Sequence, residues 1–114
     1  MKVLVCGGRN YGNITRVSQE LDALPRTEGL IVIEGGATGA DRIARFWAHH
    51  NGCGILTFKA DWERHGLAAG PVRNQQMIEE GKPDLVIAFP GGRGTADMVR
   101  RARAAGVEVR EVTA

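Results

Sequence analysis

The sequence has no long hydrophobic run, few aromatics, almost no cysteine and little net charge, and each shortage excludes something. Its longest apolar runs are Leu30-Ile31-Val32-Ile33 and Leu85-Val86-Ile87-Ala88-Phe89. A membrane helix needs ~20 such residues, so no membrane association is expected. The short apolar run at the N-terminus ends in Gly7-Gly8-Arg9 and reads as a buried strand rather than a signal peptide. Two Cys cannot make a disulfide scaffold, so a reducing cytoplasm is the expected compartment. Aromatics are 5% of the chain, which leaves little for a nucleic-acid stacking platform. A net charge of +2 is too small to argue for a polyanionic partner. The chain is nevertheless 43% hydrophobic, which excludes disorder as its main state.

What the sequence has in excess is glycine. Sixteen of 114 residues are Gly, against a usual share of ~7%. Arginine supplies 12 of the 15 cations, and Arg pairs bidentately with phosphate and carboxylate. At this length one domain is expected over residues 1–114. Apolar strand-like runs at 2–6, 30–33, 54–58, 84–89 and 107–112 alternate with helical patterns. Ile14, Val17, Leu21 and Leu24 form one helix face, closed by Pro25. Ala40, Ile43, Ala44, Trp47 and Ala48 form a second. Residues 59–70 read as a polar loop, and Pro71 fits the first position of a helix running to about Glu80. Met98, Val99, Ala102 and Ala105 mark the last helix. The order predicts an α/β fold: a single Rossmann-like domain with a mostly parallel five-stranded sheet and helices on both faces. Ligands in such sheets sit beyond the carboxyl ends of the strands, and three of the five strand exits carry Gly-Gly.

The most distinctive of these exits is Pro90-Gly91-Gly92-Arg93-Gly94-Thr95, between a buried strand and a helix. Three glycines let backbone N–H groups approach an anion at a helix start, and Thr95 can cap the helix or bind a phosphate oxygen. Glu34-Gly35-Gly36-Ala37-Thr38-Gly39-Ala40-Asp41 has the same layout. Asp41 there either complements the helix dipole or accepts a ribose hydroxyl. Cys6-Gly7-Gly8-Arg9-Asn10-Tyr11-Gly12 lacks the dinucleotide spacing, and Asn13 stands where a Walker A loop needs Lys. Triphosphate hydrolysis of that type is not expected, though Arg9 can reach a phosphate. Gly70-Pro71-Val72-Arg73-Asn74 opens a helix with Arg73 in its first turn, against the dipole. His49 and His50 are adjacent and point ~100° apart on a helix, so no metal site is read. Cys6 reads as a small buried hydrophobe and Trp47 as core. Trp62 either stacks on a base or covers the sheet edge.

Taken together, these motifs resemble the SLOG superfamily of nucleotide-binding domains, and most closely its YspA-like, YpsA-related branch. The resemblance runs through nearly the whole chain. It implies the strand order 3-2-1-4-5 and a small-molecule nucleotide ligand, such as an ADP-ribose-like molecule or nucleoside phosphate, held as by a sensor or carrier. On that reading Gly91, Gly92, Gly94 and Thr95 hold a phosphate, with Gly7, Gly8 and Arg93 beside them. Gly35, Gly36, Ala37 and Asp41 hold a ribose or second phosphate. Arg9 and Arg73 neutralise charge, and Asn74 completes the set. Superfamily relatives often form homodimers, which leaves a homodimer open. No cofactor is expected.

Two related families imply different functions. The LONELY GUY phosphoribohydrolases carry P-G-G-x-G-T-x-x-E and an Arg on an R-x-x-x-M helix. Here Arg73 to Met77 and Pro90 to Thr95 match, but Met98 stands at the catalytic Glu position. Arg73 and Asp97 are then the candidate catalytic residues for N-glycosidic hydrolysis of a nucleoside monophosphate. Asp97, spaced i,i+3 and i,i+4 from Arg100 and Arg101, reads as part of a surface pair. The DNA-processing protein A family shares the glycine–alanine–glycine–aspartate segment and implies single-stranded DNA binding. Arg100, Arg101 and Arg103 would carry it, but read more simply as a solvated face, so nucleic acid is not the expected partner.

Overall fold

A computed structural model describes residues 1–26 and 29–113. The strands are β1 (Lys2–Cys6), β2 (Ile31–Glu34), β3 (Gly54–Thr57), β4 (Leu85–Ala88) and β5 (Glu108–Glu111). They form one sheet in the order β3-β2-β1-β4-β5, and every pairing is parallel. The helices are α1 (Ile14–Asp22), α2 (Ala40–His50), α3 (Trp62–His65), α4 (Ala69–Glu79) and α5 (Arg93–Ala104).

The strand period of two explains the layering. Val3 and Val5 of β1 enter one core with Val17 and Leu21 of α1 and Ala44 and Trp47 of α2. Leu4 and Cys6 enter a second core with Met77 and Ile78 of α4 and Met98 and Ala102 of α5. Helices α1 and α2 therefore cover one face, and α4 and α5 the other. Strand β4 is buried throughout, while the edge strands β3 and β5 are largely exposed. The chain leaves β1 toward β2 on one side and returns through β4 on the other, so strand order reverses between β1 and β4. That reversal opens a crevice at the carboxyl ends of these two strands.

Several local expectations change. Helix α1 stops at Asp22, capped by Ala23, and Leu24 is buried beyond it. Residues 59–70 are not all loop, because Asp61 Oδ1 accepts the Arg64 N–H at 3.1 Å and caps α3. A 3-10 turn, Gly66–Ala68, then leads into α4. Helix α4 starts two residues before Pro71, which is tolerated because first-turn N–H groups have no helical partner. Arg73 is consequently its fifth residue, clear of the first turn, and does not oppose the dipole there.

Candidate functional site

The glycine loops at the ends of β1, β2 and β4 come together at the crevice. The Gly8 N–H donates to the Pro90 carbonyl at 2.9 Å, and the Gly8 carbonyl accepts from the Ala40 N–H at 3.3 Å. Thr38 Oγ1 donates to the Arg9 carbonyl at 3.0 Å. The three loops are thus bonded to one another. A Cβ on Gly7 would sit 2.6 Å from Ala40 Cβ, so close packing of β1 on α2 requires glycine. A Cβ on Gly91 would overlap Thr95 Oγ1 and lie 2.7 Å from the Gly8 nitrogen. Gly92 and Gly94 differ: a Cβ on either would meet no protein atom within 4 Å. Internal packing does not ask for glycine at these two positions.

Helix α5 starts at Arg93 with Gly92 as its N-cap, and no side chain caps it. Thr95 lies inside the helix as its third residue, so it does not act as the cap. The uncapped first turn therefore presents backbone N–H groups and the positive end of the dipole. It faces a cleft of about 770 Å³. Of the residues expected from the sequence, Gly7, Gly8, Arg9, Ala37, Asp41, Arg73, Asn74, Gly92, Arg93, Gly94, Thr95 and Asp97 line this cleft. Gly35, Gly36 and Gly91 do not. Gly35 uses its carbonyl to accept from Arg73 Nη1 at 2.6 Å. Gly36 turns the chain at φ +72° beside the Lys59 side chain. Gly91 packs behind the cleft against Gly8 and Thr95.

Beneath the loops lies a chain of buried polar groups. Glu34 is fully buried and accepts from the Gly36 N–H, from Arg45 Nη1 at 3.0 Å and from Thr57 Oγ1. Asp41, 6% exposed, stands in the first turn of α2. Its Oδ2 accepts from the Gly35 N–H at 3.0 Å and from the Ala37 N–H at 3.4 Å. Burial pushes its carboxyl up to about 6, the two amides and Arg73 opposing that rise and Glu34 adding to it. Burial likewise draws the Arg73 guanidinium down from its ordinary value. Burial pushes the Cys6 thiol, on the cleft floor, up to about 12, so it is inert as a nucleophile.

Asp97 is not the surface residue its spacing implies. It is 9% exposed and receives Arg100 Nη2 at 2.6 Å, Arg101 Nε at 2.8 Å and Asn74 Nδ2 at 2.9 Å. Burial pushes its carboxyl up, but the hydrogen bonds from Arg101 and Asn74 and the two Arg charges outweigh this and hold it low. Asn74, 4% exposed, also donates to the Gly94 carbonyl at 3.2 Å and accepts from Arg73 Nε at 3.1 Å. A continuous polar chain therefore runs from Gly35 through Arg73 and Asn74 to Gly94 and Asp97. Met98 points into the core and is fully buried.

The sequence assigned no site role to Leu67 or Pro71, and both line the cleft. Trp62 lines it too, 49% exposed, with the Arg9 guanidinium 5.6 Å from its ring centroid. Trp47 is core, 7% exposed, with Nε1 donating to Asp22 Oδ1. Neither Arg9 nor Arg93 forms an ion pair with any described residue. Among the described residues no three His, Cys, Asp or Glu gather as metal ligands, and no helix is long and apolar enough to cross a membrane.

With this geometry in place, comparison with known proteins locates the chain among its relatives. It is 42% identical over 117 residues to the Gene 61 protein of Mycobacterium phage D29, covering 95% of this chain and 93% of that protein. Its fold matches DNA processing protein A from Streptococcus pneumoniae, with a TM-score of 0.80 at 20% identity, over 99% of this chain. The chain spans half the length of that structure. It also matches TM1055, a structural genomics target, with a TM-score of 0.70 at 21% identity, over 95% of this chain and 71% of that one. Residues 1–65, which hold β1, the β2 loop and α2, match the family profile described as YspA, cpYpsA-related SLOG. The chain belongs to the YspA, cpYpsA-related SLOG family, built on a Rossmann-like fold.

Proposed function

We propose that this chain binds a nucleotide or nucleotide-derived ligand in the strand-end cleft, as a sensor or carrier. The observation that carries this reading is that Gly92 and Gly94 line the cleft at an uncapped helix start, although packing would accept a side chain at both. Glycine there leaves backbone N–H groups open to a phosphate. Arg93, without an ion-pair partner among the described residues, would supply balancing charge. Asp41 and Ala37 also line the cleft, where a ribose would lie. SLOG membership supports a nucleotide-related role. Two unpaired thiols, Cys6 and Cys53, suit the reducing cytoplasm we propose for it. A homodimer is part of the proposal only by analogy with the superfamily.

The hydrolase alternative needs a carboxylate beside the developing oxocarbenium ion. Met98 is buried, and both oxygens of Asp97 are already engaged, which favours binding over catalysis. The nucleic-acid alternative rests on Arg100, Arg101 and Arg103 being free to meet phosphates. Arg100, Arg101 and Arg103 are each ion-paired, to Asp97 or Glu111, which again favours the small ligand. Likeness to DNA processing protein A concerns the fold alone. A thermal-shift panel of nucleoside mono- and diphosphates and ADP-ribose tests the proposal. At a hundredfold excess over Kd a ligand adds ~2.7 kcal/mol. That raises the melting temperature by about ten degrees in a domain of this size. The parent nucleosides should do much less. A flat response to the whole panel refutes it.

A further inference from the structure

The lining of the cleft has two chemically different parts. One is the start of α5, where Gly92 and Gly94 expose backbone N–H groups between Arg93 and Arg100. The other is the segment from α3 into α4, which presents Trp62, Leu67 and Pro71. Leu67 is 96% exposed and Trp62 49%. Neither belongs to either hydrophobic core. Their apolar area stands in water in the free chain, which is unfavourable unless something covers it.

Trp62 is held in place rather than loosely displayed. Asp61 caps the short helix that carries it. The indole edge passes near Gly70, where an added Cβ would lie 3.7 Å from Cη2. The Arg9 guanidinium lies over the ring. An aromatic face bearing a cation, in the same cleft as an uncapped helix turn, suits a ligand that carries both a flat π-system and a phosphate.

We propose that Trp62 and Arg9 form the nucleobase subsite of this cleft, with the base stacked on the indole and the phosphate on the first turn of α5. The inference rests on the nucleotide reading above and adds what recognises the base. The four nucleoside monophosphates, ribose 5-phosphate and inorganic phosphate separate the two. The tightest monophosphate should bind about tenfold or more tighter than ribose 5-phosphate. It should also quench the protein's tryptophan fluorescence. Trp62→Ala should remove the preference and leave affinity for ribose 5-phosphate unchanged. Trp62→Phe should keep most of the preference but lose the quench, because its remaining indole, Trp47, is buried. Both variants should melt as the wild type does, since Trp62 lies outside both cores.

A preference that survives Trp62→Ala overturns the subsite. So does an equal loss for monophosphate and ribose 5-phosphate, which would mark a merely structural role. Binding of ribose 5-phosphate without any preference for a base overturns the subsite and leaves the phosphate site standing. Failure of every probe to bind overturns the nucleotide reading, and the subsite with it.

Discussion

Replacing Gly94 by alanine should move stability and binding in opposite directions. Gly94 is the second residue of α5, and an added Cβ would meet no protein atom within 4 Å. The methyl group therefore has no clash to relieve. Alanine has the higher helix propensity and a less flexible unfolded chain, together worth about 0.4–1 kcal/mol. For a domain of this length that raises the melting temperature by about 2–5 °C. The same methyl projects from a residue that lines the cleft, where a phosphate must approach the backbone. We expect nucleotide affinity to fall by at least about tenfold, or ~1.4 kcal/mol. Gly91→Ala is the contrasting case. Its methyl would overlap Thr95 Oγ1 and press on the Gly8 nitrogen, so it should destabilise by about 1–3 kcal/mol. Thermal melts with and without ligand, with calorimetric titration, read both effects. Wild-type affinity in Gly94→Ala would refute the phosphate cradle, and a lower melting temperature would refute the open space around it.

Asp97→Ala should cost about 1–3 kcal/mol at neutral pH in urea unfolding, because it takes from Arg101 and the buried Asn74 one of the two acceptors each has. Since the folded carboxyl titrates below its ordinary 3.8, that contribution is complete above 3.8 and is lost as pH falls through the lower folded value. Asp41 has the opposite sign. Its carboxyl is raised from 3.8 to about 6, so stability falls as pH rises across that window, by roughly 3 kcal/mol, and Asp41→Asn should remove the slope. Met98→Glu should unfold the domain or cost more than about 3 kcal/mol rather than create a hydrolase, because it puts a charge into a closed core; circular dichroism decides this. Wild-type protein should release no free base from nucleoside monophosphates, as followed by chromatography.

Where neighbours in sequence carry the signal, the structure was legible. β1 runs over the stretch its β-branched residues mark, and the glycine pairs at the ends of β1, β2 and β4 do lie at one end of the sheet. The i,i+3 and i,i+4 spacing of Asp97 with Arg100 and Arg101 read the ion pairs but not the burial. That depends on Asn74, 23 residues away on another helix. Arg73 reaches Gly35 across 38 residues, and no local pattern encodes such a contact. The helix at Trp62 had a readable signal, since Asp61 is a good N-cap residue. Four residues, however, are too few for a hydrophobic period to show. The division of glycines into those that packing requires and those it does not appears only when all three loops are seen together.

The occupant we propose for the strand-end cleft is a phosphate-bearing nucleotide. Titration of isotope-labelled protein with nucleoside monophosphates, followed through its backbone amide resonances, reads that occupancy residue by residue. Saturable shifts are expected at Gly8, Arg9, Asn74, Gly92, Gly94 and Thr95, with the amides of α1 and β5 unmoved. Shifts confined to the face of α5 bearing Arg103, or no shifts at millimolar nucleotide, would contradict it.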